Sequence, residues 1–271
     1  MKRILAIIFI SILVSAFLMW LGDLWLGRAV LKIEDAGNNI TLKSATRQEA
    51  KVLILIYHQI RELTPNDGPL SRQFIVSPAV FENQLQSLAA AGFQTISFAD
   101  LADFFNGDYS LPVKPVIITF DDGTASQFEN AFPLLQKYGL TATFFVFTNA
   151  LSRNDRYLTW EQLKQMADAG MEIGSHGKLH QYMGKQETEE ALEEIFGSKQ
   201  ELEEHLDKKI SAIAYPFGSK SEAVIEQVKA AGYLAARDIV NGTRQAKADL
   251  FKLKAYFVTA DEKRFGWLLA Q

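Results

Sequence analysis

The sequence contains no cysteine, so disulfides, thiolate metal sites and a cysteine nucleophile are all excluded. Histidine is scarce, with four in the chain, and any metal must be held by imidazoles and carboxylates. No charge of one sign dominates: 28 Lys and Arg stand against 32 Asp and Glu, a formal net charge of −4. That balance offers no basic surface to a phosphate backbone, and nucleic acid is not an expected partner. Internal repeats and low-complexity tracts are absent too. What the chain does have is apolar material, 48% of 271 residues, enough for one sizeable core in one main domain.

The longest uncharged run follows the basic start Met1-Lys2-Arg3 and extends from Ile4 to Gly22, where Asp23 ends it. As a helix these 19 residues would span roughly 28 Å, close to the hydrocarbon thickness of a bilayer. Lys2 and Arg3 orient such a helix with its start in the cytoplasm. We expect residues 1–24 to form a signal anchor, a transmembrane helix, residues 25–50 a polar stalk, and residues 51–271 the folded domain. The protein is then extracytoplasmic and membrane-anchored, or secreted if the segment is cleaved near Ser15 and Ala16.

From Val52 onward, short apolar runs alternate with helical patterns, the rhythm of an α/β domain. Strands are expected at Val52–Tyr57, Gln94–Ser97, Val116–Phe120, Thr143–Phe147, Met171–Gly174, Ala212–Tyr215, Leu234–Ala236 and Leu253–Val258. Helices are expected at Pro78–Ala91, Ser126–Lys137, Trp160–Ala169, Glu187–His205 and Ser221–Ala231. Gly92, Gly139, Gly170 and Gly232 mark helix ends, each followed at once by a strand. Such units build either a parallel barrel or an open doubly wound sheet, and both gather their chemistry at the C-terminal ends of the strands. In Glu187–His205, apolar Leu192, Ile195, Phe196, Leu202 and Leu206 recur at helical spacing. The glutamates there read as a solvated face without chemistry, and His205 as a surface histidine.

Four strand ends carry polar or special residues. Asp121 and Asp122 follow Val116–Phe120, where successive side chains diverge, so one carboxylate can hold a metal while the other faces a substrate; a plain Asp-Gly turn is the alternative. His176 and His180 follow Met171–Gly174, and on a helical turn that spacing puts both imidazoles on one side. With a carboxylate from Asp121 or Asp122 they make a donor set typical of catalytic zinc and some other divalent sites. His58 follows Val52–Tyr57, and Ala214-Tyr215-Pro216-Phe217-Gly218 lies at the end of the strand Ala212–Tyr215, where Pro and Gly could also mark a plain turn. Their convergence at one end of the sheet is the pattern of an active site.

In this order and at these intervals, Phe120-Asp121-Asp122-Gly123, Ser175-His176-Gly177-Lys178-Leu179-His180 and Ala214-Tyr215-Pro216-Phe217-Gly218 resemble the polysaccharide deacetylases, carbohydrate esterase family four. The resemblance covers about residues 51 to 258 and implies an irregular (β/α) barrel, TIM-like in outline. It also implies that Asp121 is the general base and that Asp122, His176 and His180 bind a divalent metal. That ion would be Zn2+, with Co2+, Ni2+ or Mn2+ as alternatives. Tyr215, Pro216 and Phe217 would bind substrate, the Phe217 N–H facing the oxyanion. The chain departs from the family pattern at Ala214, where many members have the arginine that partners the basic aspartate, and at Gly177, where Ser or Thr is usual. It also lacks the late Leu-x-His. An early Tyr57-His58 element, with Phe74 to Pro78, resembles the branch acting on poly-N-acetylglucosamine, which makes His58 the general acid. The implied function is metal-dependent removal of N-acetyl groups from an extracellular N-acetylglucosamine polysaccharide. Peptidoglycan or chitooligosaccharides are alternative substrates, and a glycosidase or an inactive glycan-binding homologue are the rival readings. Trp160 and Tyr182 could stack on sugar rings or serve as packing.

Overall fold

The computed structural model describes residues 47–186 and 188–271. The expected anchor and nearly all of the stalk lie outside them. Among the described residues no helix is long and apolar enough to cross a membrane.

The described residues form twelve strands: β1 Glu49–Lys51, β2 Leu53–Tyr57, β3 Gln59–Ile60, β4 Ile75–Val76, β5 Gln94–Thr95, β6 Pro115–Phe120, β7 Thr143–Val146, β8 Glu172–Ser175, β9 Ala212–Ala214, β10 Ala235–Arg237, β11 Arg244–Ala246 and β12 Tyr256–Phe257. Eight of them build one sheet in the order β10-β9-β8-β7-β6-β2-β12, with β5 against the start of β6. Every pairing in this sheet is parallel. The sheet curls into a half-barrel, and a parallel bridge between Arg237 and Leu253 draws its two ends toward each other.

Both faces of the central strands are buried, which is why they read as unbroken apolar runs. Along β2 and β6, Leu53, Leu55, Tyr57, Val116, Ile118 and Phe120 point outward into the layer beneath the helices. Their neighbours Ile54, Ile56 and Ile117 point inward, against Phe98, Leu101, Phe105 and Phe145. Gly174 makes room for one of these rings: a Cβ there would lie 2.5 Å from Phe145. The helix Phe98–Asn106, absent from the sequence reading, closes the inner cluster. A Ser97–Asp100 capping box starts this helix, and the half-buried Glu172 accepts the amides of Phe98 and Ala99 at 3.0 and 3.4 Å.

Several expected elements change shape. The expected helix Ser126–Lys137 begins as a π-turn, Gln127–Ala131, before the α-helix Phe132–Lys137. The long helix expected at Glu187–His205 is divided by a second π-turn, Glu193–Gly197. The strand expected at Leu253–Val258 keeps regular pairing only at Tyr256–Phe257. Residues 47–50, assigned to the stalk, belong to the folded domain: β1 pairs antiparallel with β11, and Arg47 donates to the Tyr109 carbonyl at 2.6 Å.

Candidate active site

Because all strands of the sheet run the same way, the segments leaving their C-terminal ends meet above one rim. His58 leaves β2, Asp121 and Asp122 leave β6, His176 and His180 leave β8, and Pro216 and Phe217 leave β9. Gln127 in the first π-turn ties two of these exits together, donating to the carbonyls of His58 at 2.9 Å and Asp121 at 2.5 Å.

Asp122, His176 and His180 each turn a donor atom toward a common point, all within 4.8 Å of one another. His180 Nε2 lies 3.3 Å and His176 Nε2 3.8 Å from Asp122 Oδ1, against about 3.3 Å between neighbouring ligands in a tetrahedral zinc shell. The tautomer also fits. His176 Nδ1 is 2.7 Å from the Ala214 carbonyl, which can only accept, so the ring hydrogen sits on Nδ1 and Nε2 faces Asp122 with its lone pair. These three side chains fit a divalent cation.

The route to this arrangement differs from the helical turn expected of His176 and His180. The segment between them is a loop, with Gly177 at φ 80° and His180 at φ 58°. Asp122 is also left-handed, at φ 74°, and this turns its carboxylate away from that of Asp121. Asp122, His180 and Phe217 supply three of the five non-glycine residues with positive φ among the described residues. Backbone strain of this kind concentrates where side chains must be aimed.

Asp121 has a partner that sequence reasoning missed. The buried guanidinium of Arg237 places Nη2 at 2.7 and 2.6 Å from the two Asp121 carboxylate oxygens. Arg237 stands in register with Ala214 on the adjacent strand, so the charge expected at position 214 arrives from the neighbouring position on β10. Its one trace in the sequence is that Arg237 directly follows the expected strand Leu234–Ala236, and nothing there pairs it with position 214. Asp121 Oδ2 then lies 4.0 Å from His58 Nε2 and 4.0 Å from His176 Nε2. The His58 ring packs against Phe74 and Phe257, with centroids 4.7 and 5.8 Å away.

The electrostatics follow from burial. Burial opposes the charge on Asp122, yet the bond from His180 and the neighbouring imidazoles of His58 and His176 hold its carboxyl well below the usual range. Burial pushes His176 down to about 4. In the metal-free protein, the unfolded chain therefore protonates this ring below about pH 6.5 while the folded chain stays neutral until about pH 4. Stability should fall as pH drops through that window, by up to about 3 kcal/mol. Urea unfolding at pH 7.5 and pH 5 measures it. His176→Gln should flatten the dependence, and an equally steep one in that variant would refute the assignment.

The family model for polysaccharide deacetylase matches residues 108–236. A Bacillus subtilis protein provisionally named polysaccharide deacetylase YxkH is 30% identical over 188 residues, covering 69% of this chain and 64% of its own length. The chain carries a polysaccharide deacetylase domain over residues 108–236. Its match thus spans a little less than two thirds of that relative. A Staphylococcus epidermidis protein named poly-beta-1,6-N-acetyl-D-glucosamine N-deacetylase is 25% identical, covering 81% of this chain and 83% of its own. Among solved structures, the Streptococcus pyogenes deacetylase PplD in complex with acetate is similar at a TM-score of 0.72. It is 26% identical over 78% of this chain and 94% of its own.

Within this deacetylase domain, two of the three expected substrate residues are buried. Tyr215 is 1% exposed, and its hydroxyl donates inward to the Phe251 carbonyl at 3.1 Å, so its ring offers a glycan no surface. Pro216 is buried as well. Phe217 alone is presented, 48% exposed, stacked on Tyr182 at 4.1 Å and set edge-on to His180 at 4.7 Å. Trp160 stacks on the exposed His205 at 3.9 Å.

Proposed function

We propose that this chain hydrolyses the N-acetyl groups of an N-acetylglucosamine polysaccharide, with poly-β-1,6-N-acetylglucosamine as substrate and Zn2+ as the ion. The observation that carries the reading is the pairing of a three-donor metal site with an adjacent carboxylate held by Arg237 and faced by His58. The name of the staphylococcal relative supports the choice of glycan. The Arg237–Leu253 bridge supports reading the half-barrel as the family's irregular (β/α) barrel. The uncharged run after Lys2 and Arg3 supports attachment to a membrane, with the domain outside it.

An amide resists hydrolysis because nitrogen is a poor leaving group and its carbonyl a poor electrophile. A divalent cation held by Asp122, His176 and His180 supplies carbonyl polarisation and a more acidic water. Asp121, oriented by Arg237, takes a proton from the attacking water as oxygen adds to the acetyl carbon. The Phe217 N–H stabilises the tetrahedral oxyanion. His58 then protonates the sugar nitrogen as the C–N bond breaks, leaving acetate and a free amine. Arg237 removes the ground for an inactive homologue, which was the absence of an arginine at position 214. Acetate release from poly-β-1,6-N-acetylglucosamine by the full chain tests the reading. Release should stop with a chelator and return with zinc; shortened glycan chains without free acetate would point to a glycosidase instead.

A further inference from the structure

Two of the three metal donors sit at the ends of a loop with no regular secondary structure, so its stiffness depends on where its amides are bound. Two consecutive amides bind to one carboxylate. Lys178 N donates to Glu194 Oε2 at 2.8 Å, and Leu179 N lies 3.0 Å from both Glu194 oxygens. Gly177 N donates to Ser175 Oγ at 3.0 Å, and that hydroxyl is 2.7 Å from Ser198 Oγ, one turn beyond Glu194. Ser198 Oγ in turn donates to the Glu194 carbonyl at 2.5 Å.

Glu194 is only 2% exposed, the exception in a stretch of solvated glutamates. It projects from the π-turn Glu193–Gly197, and π-turns of this kind are frequent at functional sites. Burying a carboxylate is costly unless strong donors receive it, and main-chain amides bound to an anion are such donors. The fit is tight enough to explain the departure at position 177. A Cβ there would stand 2.4 Å from Glu194 Oε2 and 2.8 Å from Met183 Cε. Glycine suits the position on two counts, the carboxylate beside it and its left-handed φ of 80°.

We propose that Glu194 is the positioning residue of the metal site: by gripping the amides between His176 and His180 it fixes their separation and thereby sets metal affinity. The inference rests on the metal-binding reading above. Glu194 does not reach the donor point itself; it acts through the two imidazoles it spaces.

The test is the zinc dissociation constant of the full chain, measured by competition with a chromophoric chelator, beside the melting temperature of the metal-free protein. Glu194→Ala removes the carboxylate bonds to the Lys178 and Leu179 amides, and outer-shell losses of this kind weaken metal binding by roughly 10–100-fold. Glu194→Gln keeps the volume and one acceptor but turns an NH2 toward a backbone donor, and should show a smaller rise. Excess zinc should restore most acetate release in both. If Glu194→Ala fails to fold, the Gln variant carries the test. Zinc affinity within twofold of the parent in the folded variants would overturn the proposal, even if their melting temperatures fall. A parent chain that binds no zinc would overturn the metal-site reading and this inference together.

Discussion

Asp121→Asn is expected to lower acetate release by roughly 10²–10⁴-fold, the usual loss when a general base is removed. An amide cannot take the proton of the attacking water. Zinc content should stay at the parent level, because Asp122, His176 and His180 are untouched. The substitution has a second effect, set by burial. Arg237 lies on the inner side of the sheet with its guanidinium 5.3 Å above the Phe145 ring, and the Asp121 carboxylate is its salt-bridge partner. A buried cation stripped of its anion costs roughly 3–5 kcal/mol. Turnover at the parent rate in a zinc-loaded Asn variant would remove Asp121 from its role.

Arg237→Met should be destabilising for the mirror-image reason, by a similar roughly 3–5 kcal/mol, and should also lower activity, since Asp121 loses the group that orients it. Urea unfolding gives the stability change. The double variant Asp121→Asn, Arg237→Met separates the pair from its parts: with both charges gone, its loss should be smaller than the sum of the single losses. Additive losses would mean that the two residues are not coupled. The strand register adds a rescue. Ala214 is the β9 partner of Arg237, so Ala214→Arg in an Arg237→Ala background should recover part of the activity, whereas a dead swap would show that only β10 can deliver the charge.

How much was legible in the sequence depends on what each feature is made of. The parallel strands were legible because burial on both faces leaves long apolar runs, and Asp122, His176 and His180 were legible as candidate donors because histidines are scarce and follow those runs. Arg237 was not, because the exchange of a function between positions 214 and 237 happens sideways across the sheet, and lateral register is not written along the chain. Tyr215 was misplaced as a groove residue although it follows a strand end as Asp121 does; its ring turns into the outer layer with Ile213. Glu194 was hidden among similar residues, since hydropathy cannot separate one buried glutamate from its solvated neighbours. The π-turn compounded this by shifting the helical phase. Leu192 and Phe196, expected on the apolar face, are 36% and 39% exposed, while Ile195 is fully buried. The short β1–β11 and β3–β4 pairs have too few residues to show any alternation.

The clasp between Asp121 and Arg237 joins positions 116 residues apart. Until β10 docks, a growing or nicked chain carries an acid bound for the interior with no counterion, and the rim above it has no reason to stay dry. On the proposed reading, hydrolytic competence would arrive only once β10 is in place, because a fragment lacking the last quarter of the chain would leave Asp121 without the group that orients it.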